Sequence, residues 1–158
     1  MTVAETCLKA KENLSAIAYA SEADMNQMLT AAAGALRERA AEIISENAKE
    51  VAACTRGAQF ADRLKLDEKR IDGIAVGLEK LTELACPVGE VLEERTLYNG
   101  LQLRRVRVPF GVVGIIYEAR PNVTADAVGL AVKSGNAVVL RGSKDAIRSN
   151  RIIVQVMK

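Results

Sequence analysis

All three prolines of this chain, Pro87, Pro109 and Pro121, lie in its second half, and residues 1–86 contain none. Proline removes a backbone donor and clashes with the preceding helical turn. A proline-free first half rich in Ala, Glu and Lys can run as long helices, whereas the second half cannot. The full length of 158 residues suits one domain, or one domain with a lobe. Apolar residues make up 49% and charged residues 27%, a globular balance. Trp is absent and aromatics are only 3%, so the core has to be built from small aliphatic side chains.

Periodicity predicts three helices before Pro87. Val3, Cys7, Ala10, Leu14 and Ile17 stack on one helical face. Ser21 and Asp24 form a capping-box pattern that opens a second helix. Its stripe is Met25, Met28, Leu29, Ala32, Leu36, Ile43, Ile44 and Val51, with Gly57 in the loop beyond. Asp67 is the expected N-cap of the third, whose stripe is Ile71, Ile74, Leu78, Leu81 and Ala85. These faces are expected to pack on one another in a single globule. No stripe keeps a strict heptad, which disfavours a coiled coil.

After Pro87 the period falls to two. Asn99-Gly100 predicts a two-residue type I′ hairpin, with Tyr98 facing Leu101 and Glu94 facing Arg105. The alternation slips at Arg104-Arg105, where a bulge is expected. Arg104, Arg105 and Arg107 read as a solvated strand face rather than a polyanion site, because no aromatics interleave them. From Pro109 the order is strand, helix, strand, helix. Residues 112–117 are a continuous apolar run, expected to be a strand buried on both faces. An Ala-rich helix follows over about 124–134, ended by Gly135-Asn136, then a buried strand over 137–141. Gly142-Ser143 opens a final helix, completing a parallel βαβ unit with a further helix.

Composition excludes several functions. Lys+Arg is 22 against 20 for Asp+Glu, so no nucleic-acid footprint is expected. Histidine is absent, which removes a Ser-His-Asp triad, a His-based metal site and a His general base. No metal site is expected. The cysteines Cys7, Cys54 and Cys86 form neither a CxxC motif nor an even framework, which suits a reducing compartment. No apolar run reaches 18 residues, and the first residues carry charges where a signal peptide needs an apolar core. The expectation is a cytoplasmic protein that binds neither membrane nor nucleic acid.

In doubly wound sheets ligands bind beyond the carboxyl ends of the strands. Here those ends are residues 118–124 and 141–145, both polar and both leading into helix N-termini that favour anions. Gly111 and Gly114 lie within a strand and do not form GxGxxG, and residues 141–144 lack P-loop spacing. Any nucleotide must therefore be held by another arrangement.

The stretch VPFGVVGIIYEARPNVT (108–124), followed by KSGNAVVLRG (133–142), resembles the gamma-glutamyl phosphate reductases, glutamate-5-semialdehyde dehydrogenases of the aldehyde dehydrogenase superfamily. ALRERAAEII (35–44) and RLKLDEKRI (63–71) look similar too, so the resemblance covers essentially the whole chain. It implies that a cysteine thiolate attacks the acyl phosphate of L-glutamyl 5-phosphate and expels phosphate. NADPH then supplies a hydride to give glutamate 5-semialdehyde, the logic of covalent catalysis with oxyanion stabilisation. Carried over residue by residue, Asn122 matches the amide donor aimed at the oxyanion. Arg120 is suited to hold substrate phosphate or carboxylate. Arg141, Ser143 and Lys144 fall in the segment that holds the adenosine ribose, where cations suit a 2′-phosphate. Ser143 stands where many members have Gly, and Glu118 reads as structural.

The family's nucleophile belongs to a later segment, and none of the three cysteines here sits in its motif. A nucleotide-binding half needs three strands, whereas this sequence offers two parallel strands. Residues 152–158 remain apolar to the last turn, with no Gly or Pro stop. The expected fold class is therefore α/β and aldehyde-dehydrogenase-like: a helical lobe (1–86), a β-hairpin arm (87–108) and the start of an incomplete parallel Rossmann-like sheet (109–158). The resemblance also implies a homo-oligomer. The alternative is a non-catalytic oligomerisation or interaction module derived from this fold, its open sheet covered by a partner.

Overall fold

A computed structural model describes residues 2–158. Six helices precede Pro87 among the described residues, where periodicity predicts three. The first stripe is divided between α1 (Val3–Glu12) and α2 (Leu14–Ala18). Asn13 makes the break by turning its side-chain amide back to the Lys9 carbonyl at 2.8 Å. The stripe is not sunk in a core: Val3 and Cys7 are exposed, a correction to the expected burial.

The second stripe is shared by α3 (Glu22–Glu38) and α4 (Ala40–Ala52), with the chain bending at Arg39 (φ −103°, ψ 21°). The capping box forms as expected. Ser21 Oγ accepts from the Asp24 amide at 3.1 Å, and Asp24 accepts from the Ser21 amide at 3.1 Å. Leu36 and Ile43, on either side of the bend, are both buried, while Met28 is exposed. A short helix, α5 (Ala58–Leu64), occupies what reads as loop; Gly57 enters it at φ +91°, a conformation open to glycine. α6 (Glu68–Glu83) starts at Asp67, whose carboxylate accepts from the Arg70 amide at 2.9 Å. Ala85 falls beyond its end.

The arm is an antiparallel ribbon of β1 (Val91–Thr96) and β2 (Gln102–Val106). Its turn is not type I′. Leu97 N donates to Leu101 O at 2.8 Å, and Gly100 N to Leu97 O at 2.9 Å, which leaves three residues in the loop. Only Gly100, at φ +86°, leaves the ordinary region, as in a three-residue hairpin with glycine in the left-handed position. The longer loop shifts the register. Glu94 faces Arg104, Glu93 faces Arg105, and Tyr98 lies in the loop rather than opposite Leu101. The irregularity lies on β1 between Val91 and Glu93, not at Arg104-Arg105. Every residue of both strands is exposed, so no buried face enforced the alternation that the sequence reading relied on. The three arginines are paired: Arg104 with Glu94 at 3.0 Å, Arg105 with Glu93 at 3.9 Å, and Arg107 with Glu90 at 2.8 Å.

β3 (Val112–Ile116) and β4 (Ala137–Arg141) pair in parallel, joined by α7 (Asn122–Lys133). α7 begins two residues before the expected start, with Pro121 at its N-cap, and Gly135 (φ +68°) ends it as expected. β3 is not buried on both faces: Gly114 and Ile116 are exposed, because the sheet has only two strands. α1 and α7 lie against this sheet. After β4 the chain makes a single 3₁₀ turn, Lys144–Ala146, before α8 (Ile147–Val156). The main core gathers Leu29, Leu36, Ile43, Ile71, Leu78 and Ile153, so α3, α4, α6 and α8 share one apolar interior with Ala125 of α7. Leu64, Ala119 and Ala146 form a second small core that ties α5 to the loops after β3 and β4. No helix among the described residues is long and apolar enough to cross a membrane.

Candidate functional site

Parallel pairing in the register Ile116↔Arg141 brings both strand ends, and the polar loops that follow them, to one edge of the sheet. The loops are joined by a hydrogen-bonded chain. Tyr117 Oη lies 2.7 Å from Thr124 Oγ1, and Thr124 Oγ1 donates to Asn150 Oδ1 at 2.9 Å. Asn150 sits beneath Gly142: a Cβ there would come within 2.2 Å of Asn150 Nδ2 and 3.1 Å of the Tyr117 ring. Glycine after the second strand is thus required by close packing.

Three of the sequence-derived residues divide between two cavities, and Arg141 and Ser143 line neither. Arg120 and Asn122 line one of about 450 Å³, together with Arg63, Lys65, Arg70 and Asp126. Asn122, in the first turn of α7, donates its amide to Asp126 Oδ2 at 3.1 Å. Burial lifts the Asp126 carboxyl above its ordinary range, and the Asn122 hydrogen bond opposes that rise. Arg70 is committed, donating to Asp62 and to the Lys65 carbonyl, while Arg120 has no ion-pair partner among the described residues.

Lys144 lines the second cavity, of about 370 Å³, with Lys49, Glu50, Arg56, Phe60 and Asp145. Ser143 is used locally: its Oγ accepts from the Asp145 amide and donates to Asp145 Oδ2, both at 3.2 Å, capping the 3₁₀ turn. The Arg141 guanidinium folds back onto the Gly142 carbonyl at 2.8 Å and is absent from the Lys144 cavity.

The expectation that the last helix offers a free anion site needs correction. The Glu50 carboxylate, 9% exposed, already sits at the N-terminus of α8. It accepts from Arg148 N at 2.5 Å, Ser149 N at 3.1 Å and Ser149 Oγ at 2.5 Å. One turn away, Asn47 donates to Leu64 O at 2.8 Å and Ser149 Oγ at 2.9 Å, and accepts from Leu66 N at 2.7 Å. Sequence reasoning passed over both. Their signal was a polar pair three residues apart on the face that carries Ile43 and Val51. None of the cysteines lines the cavity of Asn122; Cys54 belongs to that of Lys144. Among the described residues no group of His, Cys, Asp and Glu is placed to hold a metal ion.

No protein-family model matches the chain. The fold is nonetheless shared with an NAD-dependent benzaldehyde dehydrogenase from Corynebacterium glutamicum, at a TM-score of 0.73 and 24% identity over 94% of this chain and 31% of that one. An antiparallel hairpin, a small parallel sheet and these helices thus make an aldehyde-dehydrogenase-like α/β fold. The crystal structure of gamma-glutamyl phosphate reductase from Thermotoga maritima is more similar, with a TM-score of 0.94 and 40% identity over 98% of this chain and 38% of that one. In sequence, gamma-glutamyl phosphate reductase 2 of Bacillus licheniformis is 48% identical over 158 residues, 98% of this chain and 37% of that protein. The chain is a homologue of gamma-glutamyl phosphate reductase, and it spans little more than a third of the length of the curated relatives it matches.

Proposed function

We propose that the chain is the N-terminal part of an NADPH-dependent reductase that converts L-glutamyl 5-phosphate to L-glutamate 5-semialdehyde in proline biosynthesis. The observation that carries this reading is the 48% identity to a gamma-glutamyl phosphate reductase over 98% of the chain. Asn122 is the oxyanion donor: an amide on the first turn of a helix adds its own N–H to the positive end of the dipole. Arg120, which makes no ion pair among the described residues, holds the substrate's phosphate or carboxylate. The cations after β4 suit the dinucleotide, which supplies a hydride when bound; Lys144 faces a cavity, while Arg141 and Ser143 shape the loop. None of the three cysteines lines the Asn122 cavity, so the 158-residue chain alone is expected to form no acyl-enzyme. The wholly exposed ribbon, its strand edges open to pairing, supports a homo-oligomer.

The test joins residues 1–158 to the C-terminal remainder of the Bacillus licheniformis reductase. Phosphate-dependent reduction of NADP by glutamate 5-semialdehyde is expected from the chimera and not from the chain alone. Asn122→Ala in the chimera is expected to lower kcat roughly 100-fold. A folded chimera without turnover, or one indifferent to Asn122→Ala, counts against the assignment.

A further inference from the structure

Asn122 and Asp126 lie one turn apart on the same face of α7, and both line the Arg120 cavity. The Asn122 amide donates to Asp126 Oδ2 at 3.1 Å, the one side-chain hydrogen bond that Asp126 makes among the described residues. Oδ1 of the same half-buried carboxylate is left without a partner there. Four cations line the cavity with it: Arg63, Lys65, Arg70 and Arg120. Arg70 is spent on the Asp62 carboxylate at 2.9 Å and on the backbone carbonyls of Asp62 and Lys65. Arg63, Lys65 and Arg120 pair with no carboxylate among the described residues, and none of the four forms an ion pair with Asp126.

A cation in contact would hold the Asp126 carboxyl down; burial instead pushes it up. The lining therefore offers three uncommitted positive groups and one uncommitted negative group, with Gly73 and Ile74 of α6 supplying an uncharged stretch. A ligand that answers both signs carries anionic groups and a single cation. L-Glutamyl 5-phosphate is such a molecule. Its phosphate and α-carboxylate are anions, and its α-ammonium has N–H donors to spare for Oδ1.

We infer that Asp126 receives the α-ammonium group of the substrate, and so selects an α-amino acid over its deaminated analogue. This inference rests on the substrate reading above and adds to it a residue outside the strand-end loops. An ammonium at Oδ1 offsets the desolvation that the free carboxylate bears. Because Asn122 bonds the other oxygen, the ammonium site and the oxyanion donor are fixed relative to each other.

Isothermal titration of the 158-residue chain at neutral pH with L-2-amino-5-phosphonopentanoate and with 5-phosphonopentanoate tests this. The two compounds differ only in the amino group. The amino compound is expected to bind roughly tenfold or more tightly. Asp126→Asn should bring it down to the affinity of the deaminated compound, whose own affinity should not fall. The variant keeps the shape of the side chain and an acceptor for Asn122, so it should fold, checked by circular dichroism. Equal binding of the two compounds by wild type, or a preference that survives Asp126→Asn, overturns the ammonium site and leaves the substrate reading standing. Loss of both affinities together in the variant shows that Asp126 only holds Asn122 in place, and also overturns it. Failure of both compounds to bind wild type overturns the site together with the reading beneath it.

Discussion

Ser149 donates its hydroxyl to the Glu50 carboxylate at 2.5 Å, and its backbone amide meets the same carboxylate at 3.1 Å. A residue of α4 therefore ends the exposed dipole of a helix that begins nearly a hundred positions later. Glu50→Ala strands the buried Ser149 amide and hydroxyl and uncaps the part-buried Arg148 amide, with an expected cost of about 2 kcal/mol. Glu50→Gln, which keeps an acceptor but loses the charge, should cost less. Urea unfolding followed by circular dichroism ranks the variants; equal stability of wild type and Glu50→Ala would refute the cap.

Asn47, 1% exposed, satisfies the Leu64 carbonyl, the Leu66 amide and the Ser149 hydroxyl at once. Replacing it with Ala leaves several buried polar groups without partners, and a loss of about 2–4 kcal/mol is expected. Asn47→Asp should be at least as harmful, since the carboxylate cannot donate to Leu64 O. Thermal unfolding of the two variants beside wild type checks both the size and the order.

These two residues also mark where the sequence stopped being legible. Helical stripes such as Leu29–Leu36 and Ile71–Leu78 report burial directly, because a period of 3.6 has one cause. The ribbon has no buried face, so nothing in the alternation of Val91–Val106 could set its register, and the three-residue loop decided it instead. At the strand ends, sequence identified Arg120, Asn122 and Lys144 as facing polar space. It could not separate them into two cavities, because that division depends on α5, a short helix with too few residues to show a period. Asn47, Glu50 and Arg56 act on partners remote in sequence, and no local pattern encodes such pairings.

Gly142 can be tested in the same spirit. A methyl group there would overlap Asn150 Nδ2 at 2.2 Å and meet the Tyr117 side chain at 3.1 Å. Gly142→Ala is expected to destabilise by about 1–3 kcal/mol through overpacking. Coupling Gly142→Ala with Asn150→Ala should restore part of the loss, because the second change removes the clashing amide. A double-mutant cycle in urea reads the interaction, and strict additivity would argue against the proposed contact.

Asp126 predicts a dependence on pH. Burial raises its carboxyl above the ordinary carboxylate range, so folding favours the protonated form. A raised folded value means that stability is highest below the unfolded value and declines as pH rises through the folded one. Asp126→Asn removes the charge that burial penalises and keeps a group for Asn122 to meet. The variant should therefore be more stable than wild type near neutral pH, with the gain shrinking as pH falls below the ordinary carboxylate range. Melting temperatures of both proteins from acid to neutral pH measure this; a gain that grows on acidification would contradict it.

Lys133 and Glu22 give the opposite slope. The Lys133 side chain is only 5% exposed, and Nζ donates to Glu22 Oε1 at 3.0 Å and Asn26 Oδ1 at 2.7 Å. Glu22 also accepts from the Cys86 amide at 2.8 Å, and these bonds, led by that from Lys133, hold its carboxyl below the ordinary carboxylate range. A lowered folded value makes the stabilisation present above the unfolded value and lost as pH falls through the folded one. Removing the acid leaves a buried ammonium with Asn26 alone, whereas removing the ammonium leaves a half-exposed carboxylate that water can reach. Glu22→Ala should thus lower the melting temperature more than Lys133→Met at neutral pH. Both variants should lose the part of the acid dependence that wild type owes to this pair. A larger loss from Lys133→Met, which keeps most of the aliphatic stem, would mean that the ammonium's bonds to Glu22 and Asn26 outweigh the cost of leaving it buried without the acid.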